Sequence, residues 1–185
     1  DAILRAAAED AQKAEARDRL APSIELHRRL REIIAHTPYV RALLLTDAGG
    51  KPVVNTARFP PPPIDYGDSE FFRVHRDNRA TQFGPSLPFV GKMDGERGIT
   101  LSRALNDAGG RFFGVITAVV DPAYFFGPQG LHELGRDGVV RLLRRDGVLL
   151  TGYPMAIAAA TADYRDSALF TQGVEAGRPL IRHAC

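Results

Sequence analysis

The chain has 185 residues, a formal net charge of +2, 44% hydrophobic content and 25% charged residues, the make-up of a folded globular protein whose charges can cover its surface. So even a balance gives no sign of a nucleic-acid partner, and no basic stripe interleaved with aromatics is present. The one cysteine, Cys185, excludes an internal disulfide and a cysteine zinc site, and the longest apolar run, FFGVITAVV at 112–120, is far short of the ~18 residues a membrane helix needs.

Residues 1–20, DAILRAAAEDAQKAEARDRL, contain neither Gly nor Pro and predict a helix. Its apolar positions are mostly alanine, so it buries little surface alone; it reads as a solvated lead-in or as a rod against a partner subunit. The chain starts inside this pattern with no Met and no signal peptide, and is expected to be a piece of a longer protein. Pro22 suits the first turn of a second helix, where Ile24, His27, Leu30 and Ile34 recur at helical spacing. Thr37 and Pro38 end it.

VRALLLTD (40–47) and KPVVNT (51–56) flank an Asp-Ala-Gly-Gly turn and predict a hairpin. RFPPPPID (58–65) must be an extended surface crossing. SEFFRVHRDN (69–78) predicts a short helix, capped by Asp68 or Ser69, with Phe71, Phe72 and His75 on one face. TQFGPSLPFVG (81–91) reads as a proline-interrupted edge strand or loop. RGITLSRALN (97–106) and RFFGVITAVVD (111–121) are two long strands in a second hairpin, apolar enough for the centre of a sheet. PAYFFGPQGLHELG (122–135) is a connector, and GVVRLLRRDGVLLTGYP (138–154) a third hairpin. The remainder reads as mixed helix and loop with a final strand that stops short. The three acidic-glycine turns are unevenly spaced, which argues for local hairpin chemistry and against a repeat array.

Helix, hairpin, helix and three further strands is the order of a PAS-like sheet. ELHRRLREIIAHTPYVRALLLTDAGGKPVVNT, DSEFFRVHRDN, GITLSRALNDAGGRFFGVITAVVDPAYF and GVVRLLRRDGVLLTGYP follow one another over about residues 25–154. Together they closely resemble the periplasmic double-Cache sensor domains of bacterial transmembrane histidine kinases, diguanylate cyclases and chemoreceptors. The resemblance implies an α+β fold: a long N-terminal helix, a PAS-like five-stranded antiparallel sheet, and the start of a second, incomplete PAS-like unit. The implied division is a helical region at 1–37, a membrane-distal ligand-binding unit at 38–121, a connector at 122–137 and a partial membrane-proximal unit at 138–185. A small-molecule pocket is implied between the sheet and the segment holding the short helix. Many members place an Arg two residues before an aromatic-Phe pair, where it holds a ligand carboxylate; here the pair is Phe71-Phe72 and the matching position is Ser69, a departure. Amino-acid-sensing members use an Asp at the end of the fifth strand for the ligand amine, and Asp121 matches it.

The candidate ligand-binding residues are Phe72, Arg73, His75, Thr100, Ser102, Thr117 and Asp121. Arginine forks suit carboxylates; an imidazole beside the Phe pair is a ligand contact or a packed, hydrogen-bonded His. Strand alternation puts Thr100 and Ser102 on one face, and aligns Thr117 with Phe113, Val115, Val119 and Asp121. Small hydroxyls among apolar neighbours suit a pocket floor, and equally a hydrogen-bonded core. Asp121, before Pro122, is also a cap or turn residue in its plainer reading.

No G-x-S-x-G elbow, P-loop or G-x-G-x-x-G turn is present, and the five histidines include no i, i+4 pair for a helical metal site. No catalysis, cofactor or metal is expected of this fragment. The expectation is an extracytoplasmic sensor domain of an inner-membrane signalling protein, a histidine kinase first, with a C-terminal kinase or cyclase in the parent protein. It would bind an organic acid or an amino-acid-like molecule, pair as a homodimer through the N-terminal helix, and touch the membrane only through helices outside this fragment. The alternative is a structural or dimerisation module whose PAS-like fold binds no ligand.

Overall fold

The alanine-rich opening of the chain forms α1, Ala2–Glu15, whose Leu4, Ala7, Ala8 and Ala11 are buried. The structure is a computed structural model describing residues 1–16, 20–78, 81, 83–91, 95–121, 124, 139–153, 164, 165, 167, 170 and 171. It divides into two units, Asp1–Asp121 and Pro122–Cys185. α1 is not solvated all round, because it packs on α2 and on two strands of its own sheet, with Ala2, Ala6 and Lys13 left exposed. Alanine makes this possible: with Leu4 the one bulky side chain among these four, the helix backbone settles close enough to exclude water from alanines of one methyl each.

α2 spans Ile24–Ile34 and starts after Ser23, whose hydroxyl accepts from Leu26 N at 3.5 Å. Pro22 therefore precedes the cap rather than opening the first turn. The buried stripe is Leu26, His27 and Leu30, while Ile24 is 46% exposed; the seam runs one side over from the one that spacing suggested.

The first unit is built on a sheet of β1 (Val40–Asp47), β2 (Pro52–Asn55), β3 (Phe83–Pro85), β4 (Phe89–Val90), β5 (Arg97–Asn106) and β6 (Phe112–Val120), with α3 (Glu70–Asp77) between β2 and β3. The order is β2-β1-β6-β5-β3, with β4 also paired to β5, and every pairing is antiparallel. This is the expected PAS-like five-strand path with one short strand added. The prolines at 81–91 split a single edge strand into β3 and β4, since a proline has no N–H for the ladder.

Two of the turns repeat one device. Asp47 Oδ1 accepts from Gly49 N and Lys51 N at 2.9 Å each, and Asp107 Oδ1 does the same for Gly109 N and Arg111 N. Gly50 and Gly110 follow at φ of 85° and 80°, a region where a side chain would strain the backbone. In the second unit, β7 (Val140–Leu143) and β8 (Leu149–Tyr153) pair as the third hairpin. Most of the connector expected at 122–137 and most of the tail at 154–185 lie outside the described residues.

Register fixes the two faces. Leu44 pairs with Thr117 and Thr117 with Ser102, so these three share a face, and Thr46, Val115 and Thr100 lie on it by alternation. α3 covers this inner face: Leu44 and Val115 form one buried cluster with Tyr66, Phe71 and Phe72. The opposite face meets α1 and α2.

Candidate ligand site under the third helix

α3 is short, and both of its aromatic residues fall on one side while Val74 faces outward, so burying Phe71, Phe72 and His75 fixes its roll. Ser69 is its N-cap residue, without a side-chain cap bond; Ser69 O accepts from Phe72 N and Arg73 N. The Phe72 ring is fully buried and meets Phe112 edge-on at 6.0 Å, while Phe71 meets Tyr66 at 5.8 Å. The Arg76 guanidinium lies 5.7 Å from the centre of the Phe72 ring. Arg76 also bonds Asp77 at 2.7 Å and Gly67 O at 3.3 Å, so this cation is engaged on the outside of the helix. At the first turn, Glu70 Oε2 accepts from Leu87 N, tying α3 to the β3–β4 connection.

His75 is the polar centre of the interface. It is 1% exposed; Nδ1 lies 2.8 Å from Thr81 O and Nε2 2.9 Å from Ser102 Oγ. A carbonyl only accepts, so Nδ1 carries the proton, and Nε2 of the neutral ring accepts from the Ser102 hydroxyl. Burial holds the ring below its usual value of 6.5 and the Arg103 charge adds to this, against the smaller opposite effect of the two hydrogen bonds.

The other hydroxyls of the inner face differ in what they do. Thr100 Oγ1 donates to Ser86 Oγ at 2.6 Å, and Ser86 Oγ donates in turn to Leu87 O at 2.8 Å. Thr46 Oγ1 donates to Val115 O at 3.3 Å. Thr117 Oγ1 is buried and has no hydrogen-bond partner among the described residues, although it stands in register between Leu44 and Ser102.

Of the seven residues expected to bind ligand, Phe72, His75, Thr100, Ser102 and Thr117 are therefore gathered and buried in the layer between α3 and the sheet. Arg73 is on the exposed side of α3. Asp121 is half-buried just beyond β6, where its N–H donates to Tyr39 O at 2.9 Å. Ser86 and Thr81 belong to this layer and were not among the expected residues. Both lie in a proline-broken stretch with no periodicity, so no pattern pointed to the side on which they fall. Two open clefts of about 260 and 670 Å³ lie elsewhere, between α1 and the β5–β6 hairpin, lined by charged groups such as Glu9, Lys13, Arg103 and Arg111.

An antiparallel sheet in this order, with helices α1 and α2 behind it and a short helix over a hydroxyl-bearing inner face, is the Cache-like sensor-domain fold. The chain is similar to the extracellular domain of the histidine kinase rpHK1S-Z16, at 27% identity and a TM-score of 0.71, over 92% of this chain and 73% of that one. It is also similar to an extracellular ligand-binding receptor from Desulfohalobium retbaense DSM5692, at 20% identity and a TM-score of 0.66, over 94% of this chain and 30% of the receptor. A third similar structure is the ligand-binding domain of the Pseudomonas aeruginosa PAO1 amino acid chemoreceptor PctC in complex with GABA, at 16% identity and a TM-score of 0.60, over 84% and 68% of the two chains. No family model matches the chain, and no curated protein matches it. Its structural neighbours are thus extracellular sensor domains of histidine kinases and chemoreceptors, not catalytic domains, and the sensor reading of the sequence fits them. Among the described residues, no helix is long and apolar enough to cross a membrane.

Proposed function

We propose that residues 38–121 form the ligand-binding unit of an extracytoplasmic receptor and take a small polar molecule between α3 and the inner face of the sheet. The observation that carries this reading is the Thr117 hydroxyl. Leaving a buried polar group unpaired costs ~1–3 kcal/mol, and here one is kept at the centre of the layer where such a fold would hold its ligand. Ser102 and His75 stand beside it, and Phe72 supplies the apolar wall. PctC, of the same fold, is in complex with GABA, which supports a small molecule as the occupant. The receptor would catalyse nothing in this fragment, would be anchored by membrane helices outside it, and would act on a kinase or cyclase output.

The test is a thermal-shift screen with small polar metabolites, run on the wild-type chain and on Thr117→Val. A molecule bound only by the folded state raises stability by RT ln(1 + [L]/Kd), about 2.7 kcal/mol at a hundredfold excess over Kd. Replacing Thr117 with its apolar isostere removes an unpaired buried hydroxyl, so the empty variant is expected to be as stable as the wild type or up to about 1 kcal/mol more stable, while the ligand's shift disappears. A variant that is destabilised yet still responds to the ligand contradicts the assignment.

A second reading has its own observation. Phe72, Phe71, Tyr66, Leu44 and Val115 already pack together under α3, as they would in a structural or dimerisation module that binds nothing. A screen in which no compound shifts the wild type favours that reading.

A further inference from the structure

We propose that His75 is a proton-operated latch: protonating its ring releases the C-terminal half of α3 from β5, so that the unit responds to acidity outside the cell. This goes beyond the ligand-binding reading and does not rest on it, because the proton itself is what the latch takes up.

The geometry ties three parts of the chain through one side chain. His75 belongs to the last turn of α3, Ser102 to the middle of β5, and Thr81 to the segment that leads into β3. In the neutral ring both nitrogens are matched, Nδ1–H to a carbonyl and Nε2 to a hydroxyl. A second proton on Nε2 meets the Ser102 hydrogen. Ser102 must then turn to accept, and its own hydrogen loses the acceptor it had.

The new charge also finds no counter-ion among the described groups around it. From β5 it faces Ser102; the Arg103 guanidinium, on the opposite face of the strand and paired with Asp1, adds only a small repulsion. The inner face of β6 offers Val115, Thr117 and Val119, and β3 offers Gly84 opposite Ser102; none of these titrates. On α3 itself, the Asp77 carboxylate is bonded to Arg76 and that of Glu70 to Leu87 N, and Arg73 adds only a further positive charge. A buried cation without a partner is unstable, and moving the ring into water relieves it.

The direction with pH follows. Burial makes the seated ring harder to protonate than a free imidazole at 6.5, so the released helix binds the proton first. Seating of α3 is therefore fully stable above pH 6.5, weakens as pH falls through that value, and stops weakening once the seated ring itself titrates.

Hydrogen-exchange protection factors on the intact chain, without ligand, test this at about pH 7.5 and about pH 5. The amides of Arg73–Asp77 are expected to lose about tenfold in protection on acidification, the change that accompanies loss of one buried hydrogen bond, while those of Val115–Val120 in β6 keep theirs. His75→Gln, an amide that hydrogen-bonds but does not titrate, abolishes the response; His27→Gln, on the opposite side of the sheet, preserves it. Should His75→Gln fail to fold, Ser102→Ala is expected to loosen α3 already at the higher pH and to shrink the acid effect. The latch is overturned if the response survives His75→Gln or, in the fallback, is undiminished in Ser102→Ala. It is also overturned if α3 and β6 lose protection together, or if ¹⁵N shifts of the ring place the neutral proton on Nε2.

Discussion

Gly114 stands opposite Asp47 and next to Val115, where β6 runs against β1. A methyl group at this position collides with the Thr46 carbonyl oxygen, a backbone atom that cannot step aside without opening the ladder. Gly114→Ala is expected to destabilise the first unit by about 3 kcal/mol, the upper end of overpacking costs, read as a lower urea midpoint at unchanged slope. The inner-face residues obey a related logic of position. Thr100, Ser102 and Thr117 were legible as polar residues alternating into an apolar layer, because alternation depends on the chain alone. Which of them is satisfied was not legible. Thr100 finds Ser86 and Ser102 finds His75, and both partners come from segments remote in sequence; Thr117 is left over. Nothing local distinguishes these three hydroxyls. The same holds for Asp47 and Asp107, which were legible for the opposite reason: each captures the N–H groups two and four residues onward, a purely local geometry.

At the scale of elements, the hairpins came through in order because glycine turns and β-branched runs carry their own instructions. The helices were less complete. α1 was recognisable as a helix from its composition, but its destination was not, since a face of alanines has too little area to announce burial. In place, Ala7 and Ala11 are fully buried, and their smallness is what lets the helix lie close to β5 and β6. Ala11→Leu is therefore expected to lift α1 from the sheet at a cost of about 1–3 kcal/mol, seen as a lower melting temperature and faster exchange of α1 amides. Ionic ties reinforce the seat at both ends of the helix: Asp1 bridges Arg5 and Arg103, and Glu15 meets Arg111 at 3.1 Å. α1 is thus a component of the sensor unit's own packing, and a partner subunit would meet the remaining side, where Ala2, Ala6 and Lys13 are exposed.

For the whole molecule, the homodimer expected from the sequence would have to use that exposed side of α1. With Cys185 replaced by Ser, cysteines introduced singly at Ala2, Ala6 or Lys13 are expected to form disulfide-linked dimers under mild oxidation, whereas one at the buried Ala7 is not. Absence of a linked dimer from all three exposed positions counts against pairing through α1. A ligand acting on such a dimer shifts populations only by the difference in its affinity for the two states, so the cross-linking pattern is also the readout for signalling. By itself the sequence determined the order of elements, the turn chemistry, the alternation of the long strands and the class of fold, because each follows from neighbours within a few residues or from a pattern spread along the chain. The tertiary structure alone decided that α1 lies on its own sheet, that His75 joins α3 to β5, and that Thr117 is the hydroxyl without a partner. Those outcomes depend on which distant groups meet across the sheet, and a linear pattern holds no record of that distance.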